Sequence, residues 1–410
     1  MLPKTRLAIS LALVLNGLLA QQAQAQQPPP NAYRGSSSVY DWDWLLKQPP
    51  EPGGSLPTTS PSPAHEPAKG GQGGNILPTI PASPLLEALN RLGPAEREAA
   101  LTQLAGADNA NLAQATLGAT RQVGASALSA MLQPDNGRSR LWLQSLSNVG
   151  RFEPTQGGKD FQQTTRGLVL GADWSLGNEW RLGLLGGKSR SEHKGSHFRG
   201  ELDSWHAGAY ALRQDGPAAL RFGAIHSSHA GSTQRHVAFS GYQDRLSGNY
   251  TATSQQAFAE FGYSLGNNQL STEPFAGLGY QRYSRQGHTE KGGEAVLENS
   301  GQALDNFSTT LGLRAAGNWR FGHGMSLTPH LSAGWKHLYG ELDSITRQTN
   351  RATAMTFTTR GIAQDRDSLA IEAGLELNLS SRHRLGLGYS GELGAKNSNH
   401  GIMGQWALAF

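Results

Sequence analysis

Few residues in this chain combine a reactive type with a spacing that could do chemistry. Gly386-Leu387-Gly388-Tyr389-Ser390-Gly391 spells G-x-G-x-x-G, the pattern whose glycines let a backbone approach a dinucleotide pyrophosphate at a helix N-terminus. Here it falls inside an alternating, strand-like run with no helix after it, so small residues lining one strand face account for it. His226 and His229 stand three apart, which on a strand puts them on opposite faces and disfavours a shared metal ion. A G-x-S-x-G or comparable nucleophile and base pair does not occur, and His65 sits in a Pro-rich run. No catalytic, cofactor or metal site is therefore expected, and the chain is not expected to be an enzyme.

The elements that would have to position such groups are unusual for a soluble globule. Among 410 residues, Gly counts 52, Cys none, and charged residues only 16%, below the usual quarter. Without Cys there are no disulfides and no thiolate metal sites, which suits a chain that must stay extended in an oxidising compartment. A net charge of +4 is too mild to argue for nucleic acid, and no Lys/Arg cluster stands out along the sequence.

Residues 1–25 have the parts of a secretory signal: Lys4 and Arg6, the apolar Leu7 to Ala20, and Ala23-Gln24-Ala25 as a cleavage site. That apolar run is too short to span a bilayer, and no stretch of 18 apolar residues follows it. Any insertion in a membrane must then be as a closed β-barrel. Residues 26–82 are rich in Pro, Gly, Ser and Gln and are expected to be mostly disordered. One aromatic island interrupts them, Tyr40 to Leu46. Tyr40, Trp42 and Trp44 could dock a partner, or the island could fold back on a barrel rim.

Residues 83–138 read as a helical linker. Ser83 and Pro84 open one helix that Gly93 stops, Pro94 opens a second that ends at Gly106, and a third spans about 108–132. The third would be about 36 Å long, enough to cross a bilayer core. Asn109, Asn111, Gln114, Thr120 and Arg121 make it too polar for lipid, and its many Ala and Gly make it thin. A slim, polar helix of spanning length belongs inside a water-lined pore. Asp108 reads as its cap.

From residue 139 to 410 the pattern is alternating. Leu369, Ile371, Ala373, Leu375 and Leu377 share one strand face, with Glu372 and Glu376 on the other, where a lumen would suit their carboxylates better than a dry core. About twelve such runs occur. Short turns, as at Leu176-Gly177-Asn178 and Gly322-His323-Gly324, alternate with long polar loops near 151–160, 237–248, 287–301 and 342–363. The last run, Asn399 to Phe410, puts Ile402, Trp406, Leu408 and Phe410 on one face and ends on an aromatic. The expected fold is an all-β transmembrane barrel of about twelve antiparallel strands with the N-terminal helix in its lumen.

The segments STEPFAGLGYQRY, LTPHLSAGWKHLYGEL, RDSLAIEAGLELNLSSRHRLGLGYSGELG and QWALAF, in this order, resemble the translocator domain of classical autotransporters of type V secretion. The resemblance runs from about residue 80 to 410. It implies an outer-membrane barrel of a Gram-negative bacterium that translocates a passenger, here the short 26–82, to the cell surface and anchors it. It also implies assembly by periplasmic chaperones and the barrel-assembly machinery, with Trp406, Leu408 and Phe410 as the signal. Some relatives cut themselves by side-chain attack of an asparagine in the pore helix; Asn109 and Asn111 are the candidates, without the full motif. Outer-membrane lipid is an expected partner, nucleic acid is not, and a monomeric barrel is expected. Alternatives are a plugged passive pore, or a surface adhesin acting through barrel loops and Tyr40 to Leu46.

Overall fold

The computed structural model describes residues 83–133, 137–153, 161–267, 269–321 and 325–410. Tyr40, Trp42 and Trp44, the signal and Pro-rich segments, and the turn at 322–324 lie outside these residues. Helix α1 is Pro84–Arg91, where the Ser83 hydroxyl accepts from the Leu86 amide and Pro84 needs no partner at the first helical position. Helix α2, Pro94–Ala105, ends at Gly106, whose φ of 58° is left-handed. A Cβ there would also press on Leu297 and Gln348, so both conformation and space require glycine.

The third helix begins later than its polarity suggests. Ala107–Asn111 forms a 3-10 turn, and only Leu112–Leu132 is the α-helix α3. Asp108 lies within that turn and is not the cap of α3, whose N-cap position is Asn111.

Twelve long strands follow: β1 Arg140–Phe152, β2 Phe161–Leu176, β3 Trp180–Lys194, β4 Phe198–Asp215, β5 Ala218–Phe239, β6 Tyr242–Tyr263, β7 Leu270–Arg285, β8 Gln302–Gly317, β9 Ser326–Gly340, β10 Asp367–Asn378, β11 His383–Leu393 and β12 Asn397–Ala409. Each pairs antiparallel with its neighbour, and β12 returns to β1 in a register running from Arg140 opposite Ala409 to Phe152 opposite Asn397. The sheet is thereby closed and has no free edge.

The stretch 237–248 is not a loop. β5 and β6 continue through it to a two-residue turn at Ser240-Gly241, because Val237 and Leu246 both bury against α1 and α2. Inside the long connections 287–301 and 342–363, His288–Thr289, Leu297–Asn299, Ile345–Asn350 and Thr356–Arg360 pair into a separate four-stranded sheet. With α1, α2 and the β5–β6 tip this sheet forms a cap around Leu85, Leu101, Leu104, Leu297 and Phe357.

The outside of the barrel is inverted relative to a soluble protein. Leu168, Leu184, Leu278, Leu313 and Leu387 are each more than half exposed. Trp174, Trp180 and Trp319 flank this apolar band near the short turns, and Trp205, Phe307 and Tyr339 flank it toward the cap. In water so broad an apolar surface would drive association; in a bilayer it is the favourable surface. Leu313 lies midway between Phe307 and Trp319, whereas Leu270 opens β7 beside a short turn. Leu313→Arg is expected to destabilise the barrel in vesicles by about 2–4 kcal/mol and Leu270→Arg by about 0–1 kcal/mol, read from equilibrium unfolding. Equal losses at both positions would contradict this placement of the band.

Candidate functional site

The lumen is the one interior that the twelve strands share, and α3 occupies it. Ala and Gly keep the helix narrow. At Gly124 a Cβ would overlap the Gln256 side chain, so the wall touches the helix backbone there. Val123, Ala127, Ala130 and Met131 pack on Trp142, Leu146, Val169 and Tyr210, and toward the cap Leu112 and Leu117 pack among Phe161, Phe198, Tyr250 and Tyr283.

Several of the helix's polar groups are satisfied within the helix or by the wall. Thr116 and Thr120 donate to the carbonyls of Leu112 and Thr116 at 2.7 and 3.1 Å, the usual solution for a hydroxyl facing a narrow space. Thr120 also meets Ser254 at 2.9 Å, which joins a ladder of His229 with Ser204 and of His206 with Ser189 and Ser227. Arg121 lies 3.7 Å from Glu392, which Lys336 holds at 2.8 Å. Gln114 donates to the Leu342 carbonyl of the cap hairpin. Beside Arg121 lies a cavity of about 40 Å³, bounded by Gly118, Lys336, Glu392 and Asn399 among others.

The C-terminal ends of α3 and α2 each meet a buried arginine. At the end near the short turns, Arg140 donates to the Ala130 carbonyl at 2.9 Å and to Gln133 at 3.2 Å. A cation there meets the negative end of the helix dipole. Asp173, fully buried, holds Arg140 at 2.9 and 3.0 Å, pairs with Arg181, and accepts from Tyr210 at 2.8 Å. In the cap, Arg235 donates to the Gln103 carbonyl at 3.1 Å at the end of α2, and Glu290 pairs with it at 2.7 Å. Glu294 takes the other pole, accepting from the Ser83 hydroxyl and the Leu85 amide at 2.7 and 2.9 Å at the start of α1.

Asn109 and Asn111 sit in the 3-10 turn at the mouth, not within α3. The Asn109 side-chain nitrogen donates to Asn299 at 3.3 Å and to Gln348 at 3.4 Å, and the Asn111 side-chain oxygen accepts from the Ile362 backbone amide at 2.7 Å. Ser344 donates to the Ala110 carbonyl between them. Glu376 is buried 3.8 Å from Arg384, and Glu372 faces the lumen in the field of Arg314 and Glu260. Trp406 stacks on His383, while Phe410 is exposed and its amide donates to the Ser139 carbonyl at 2.9 Å. His226 and His229 are on opposite faces, the first outside and the second in the lumenal ladder. Among the described residues no group of three or more His, Asp or Glu is arranged to hold a metal.

Sequence reasoning missed Asp173, Arg140, Arg181, Arg235 and Glu290. The signal available was a charge at an inward position: Asp173 alternates with the outward Trp174. The arrangement fills a channel with a helix, holds the C-terminal end of that helix, and holds α1 and α2 in the cap.

Removing one partner of the Asp173 cluster leaves two buried guanidiniums uncompensated. Asp173→Asn is expected to cost about 3–5 kcal/mol, seen as a lower temperature for loss of the heat-modifiable band. At the mouth, burial raises the Asp108 carboxyl from 3.8 to about 6, only partly offset by its hydrogen bond with Asn111. A raised acid favours the folded mouth when protonated, so local stability falls as pH rises from about 4 to 6 and is flat above. Asp108→Asn should abolish that slope and slow hydrogen exchange at 107–111 at pH 7; an unchanged slope would contradict the assignment.

A family model described as the autotransporter beta-domain matches residues 141–390. Two curated proteins of Serratia marcescens, each described as an extracellular serine protease, are 28% and 29% identical over 317 residues. Those matches cover 75% of this chain and 30% of the relatives, so the chain spans less than a third of their length. Among solved structures, the translocator domain of autotransporter NalP from Neisseria meningitidis superposes with a TM-score of 0.59 at 15% identity, covering 73% of this chain and 99% of that one.

Proposed function

The chain belongs to the autotransporter family, and from that premise we propose that its barrel passes the N-terminal segment through the outer membrane and then holds it, uncut, at the cell surface. The barrel is an outer-membrane translocator of type V secretion in a Gram-negative bacterium, and it is not itself catalytic. The direction of α3 carries the reading. Its C-terminal end is clamped beside the short turns, where β1 begins, and its N-terminal end lies at the mouth among the long hairpins. Short turns face the periplasm in outer-membrane barrels and long connections face outward. α1 and α2 are therefore already outside, and residues 26–82 continue from them.

Retention without cleavage is supported by what holds the two asparagines. Attack on the backbone needs a side-chain amide nitrogen that can swing onto a carbonyl carbon; the Asn109 amide nitrogen donates into the cap, and the Asn111 side chain is held through its oxygen, which accepts from the Ile362 amide. Residues 26–82 then act as a short tether or ligand at the surface, with Tyr40, Trp42 and Trp44 as its contact residues. The protease activity named for the Serratia relatives belongs to those proteins, and we propose none for this chain. Autotransporter barrels are in general assembled by the barrel-assembly machinery. We propose Trp406, Leu408 and Phe410 on the closing strand as the assembly signal, delivered by periplasmic chaperones, and a monomeric barrel as the product.

An epitope tag inserted between residues 26 and 40 tests display and retention together. Protease added to intact cells should remove the tag, and the membrane-bound form should have the mass of residues 26–410. A tag cut only after the outer membrane is permeabilised would refute display. A membrane-bound form beginning near Asn109 would refute retention.

A further inference from the structure

No basic cluster is visible along the sequence, but the strand register assembles one on the outside of the barrel. On β2 and β3, Arg166 lies directly opposite Arg190, and Lys188 lies opposite Leu168 one outward position nearer the membrane band. All three are exposed on the outer face. Facing like charges across an antiparallel pair is unfavourable unless something screens them. Glu201 of β4 takes Arg190 at 2.7 Å, and Asp203, directly opposite Arg190 on β4, and Glu192 add to its field, but among the described residues no carboxylate lies within ion-pair distance of Arg166.

Their height on the barrel is the second observation. Immediately toward the short turns the same face carries Leu168, Leu170 and Leu184, each half or more exposed, so the cations stand where the apolar band ends on the cap side. Lys188 extends over the exposed Trp205 ring, its Nζ 5.3 Å from the centroid, which keeps the ammonium at that level. In the outer membrane this level is that of the outer-leaflet headgroups. An amphipathic molecule with acyl chains along the leucines and a phosphate at the three cations would relieve the Arg166–Arg190 repulsion and cover the apolar face at once.

We propose that Arg166, Lys188 and Arg190 form a binding site for the phosphate of a phosphorylated glycolipid of the outer leaflet. The inference rests on the outer-membrane placement of the barrel and not on display of the N-terminal segment. Two guanidiniums facing one another can each donate to the same phosphate, and the ammonium below adds a point charge. The occupant is a lipid and not a free anion because half of the site is hydrocarbon-facing leucine.

The test uses the full chain refolded in detergent and titrated, by native mass spectrometry, with lipopolysaccharide, with the same lipid after enzymatic removal of its phosphates, and with inorganic phosphate. Wild type should hold the phosphorylated lipid about tenfold or more tighter than the dephosphorylated one, and Arg166→Gln/Arg190→Gln should lose that difference. Arg213→Gln, near the short turns beside Trp180, serves as the control and should bind as wild type does. Arg166→Lys/Arg190→Lys should retain most of the preference. The site is overturned if the double Gln variant, folded by its heat-modifiable band, keeps the preference within twofold. It is overturned equally if inorganic phosphate displaces the lipid at matched concentration. Should the double variant fold poorly, Arg166→Gln alone decides on the same criterion.

Discussion

Inside hydrocarbon a backbone amide or carbonyl without a partner has no water to turn to, so a sheet in a bilayer must have no edges. The register between Arg140–Phe152 and Asn397–Ala409 meets that requirement over the full length of both strands. Everything else presupposes it. The exposed leucines are tolerable only because the strands carrying them are fully paired, and the lumen exists only because the sheet returns on itself. The small residues on the closing strand's inner face, Ala407 and Ala409, are buried, which lets that strand lie close to the helix end beside β1.

A closed barrel of this size leaves a space too wide to be filled by wall side chains alone and too narrow for an open channel beside a helix. The helix and the wall are therefore solved together. Glycine and alanine on the helix, serine, threonine and histidine on the wall, and a few long cations produce a packed but polar interface. The buried ions do not make this interface strong in themselves, since desolvation offsets much of their attraction. They specify it. Arg140 on Asp173 and Arg235 on Glu290 fix which carbonyls end each helix, and so fix where along the lumen the chain rests.

Much of this was legible in the sequence because it is written in periods. Alternation marked the strands, Pro84, Pro94 and Gly106 marked the helix ends, and the polarity of Gln114, Thr120 and Arg121 placed the third helix in a lumen. Charges that act across strands left no local trace. Asp173 with Arg140 and Arg181, or Arg166 opposite Arg190, become neighbours only through register, which the sequence does not state. The stretch 237–248 read as loop because Ser240, Gly241, Gln243, Asp244 and Arg245 are polar. Its fully buried apolar residues, Val237 and Leu246, find their partners in helices more than a hundred positions away. Asn109 and Asn111 look like part of one long helix until the cap hairpin is seen to draw them into a tighter turn.

The left-handed Gly106 divides the chain into a part that fits the barrel and a part that does not. On its N-terminal side, α1 and α2 complete a core with side chains from two hairpins and are held at opposite poles by Glu294 and Arg235. That core cannot exist until residues 83–105 have emerged, because half of its members arrive from within. Once formed, it is wider than the single helix the lumen admits. On the proposed route, the folding energy of the cap becomes available only after residues 83–105 have passed, and it opposes their return.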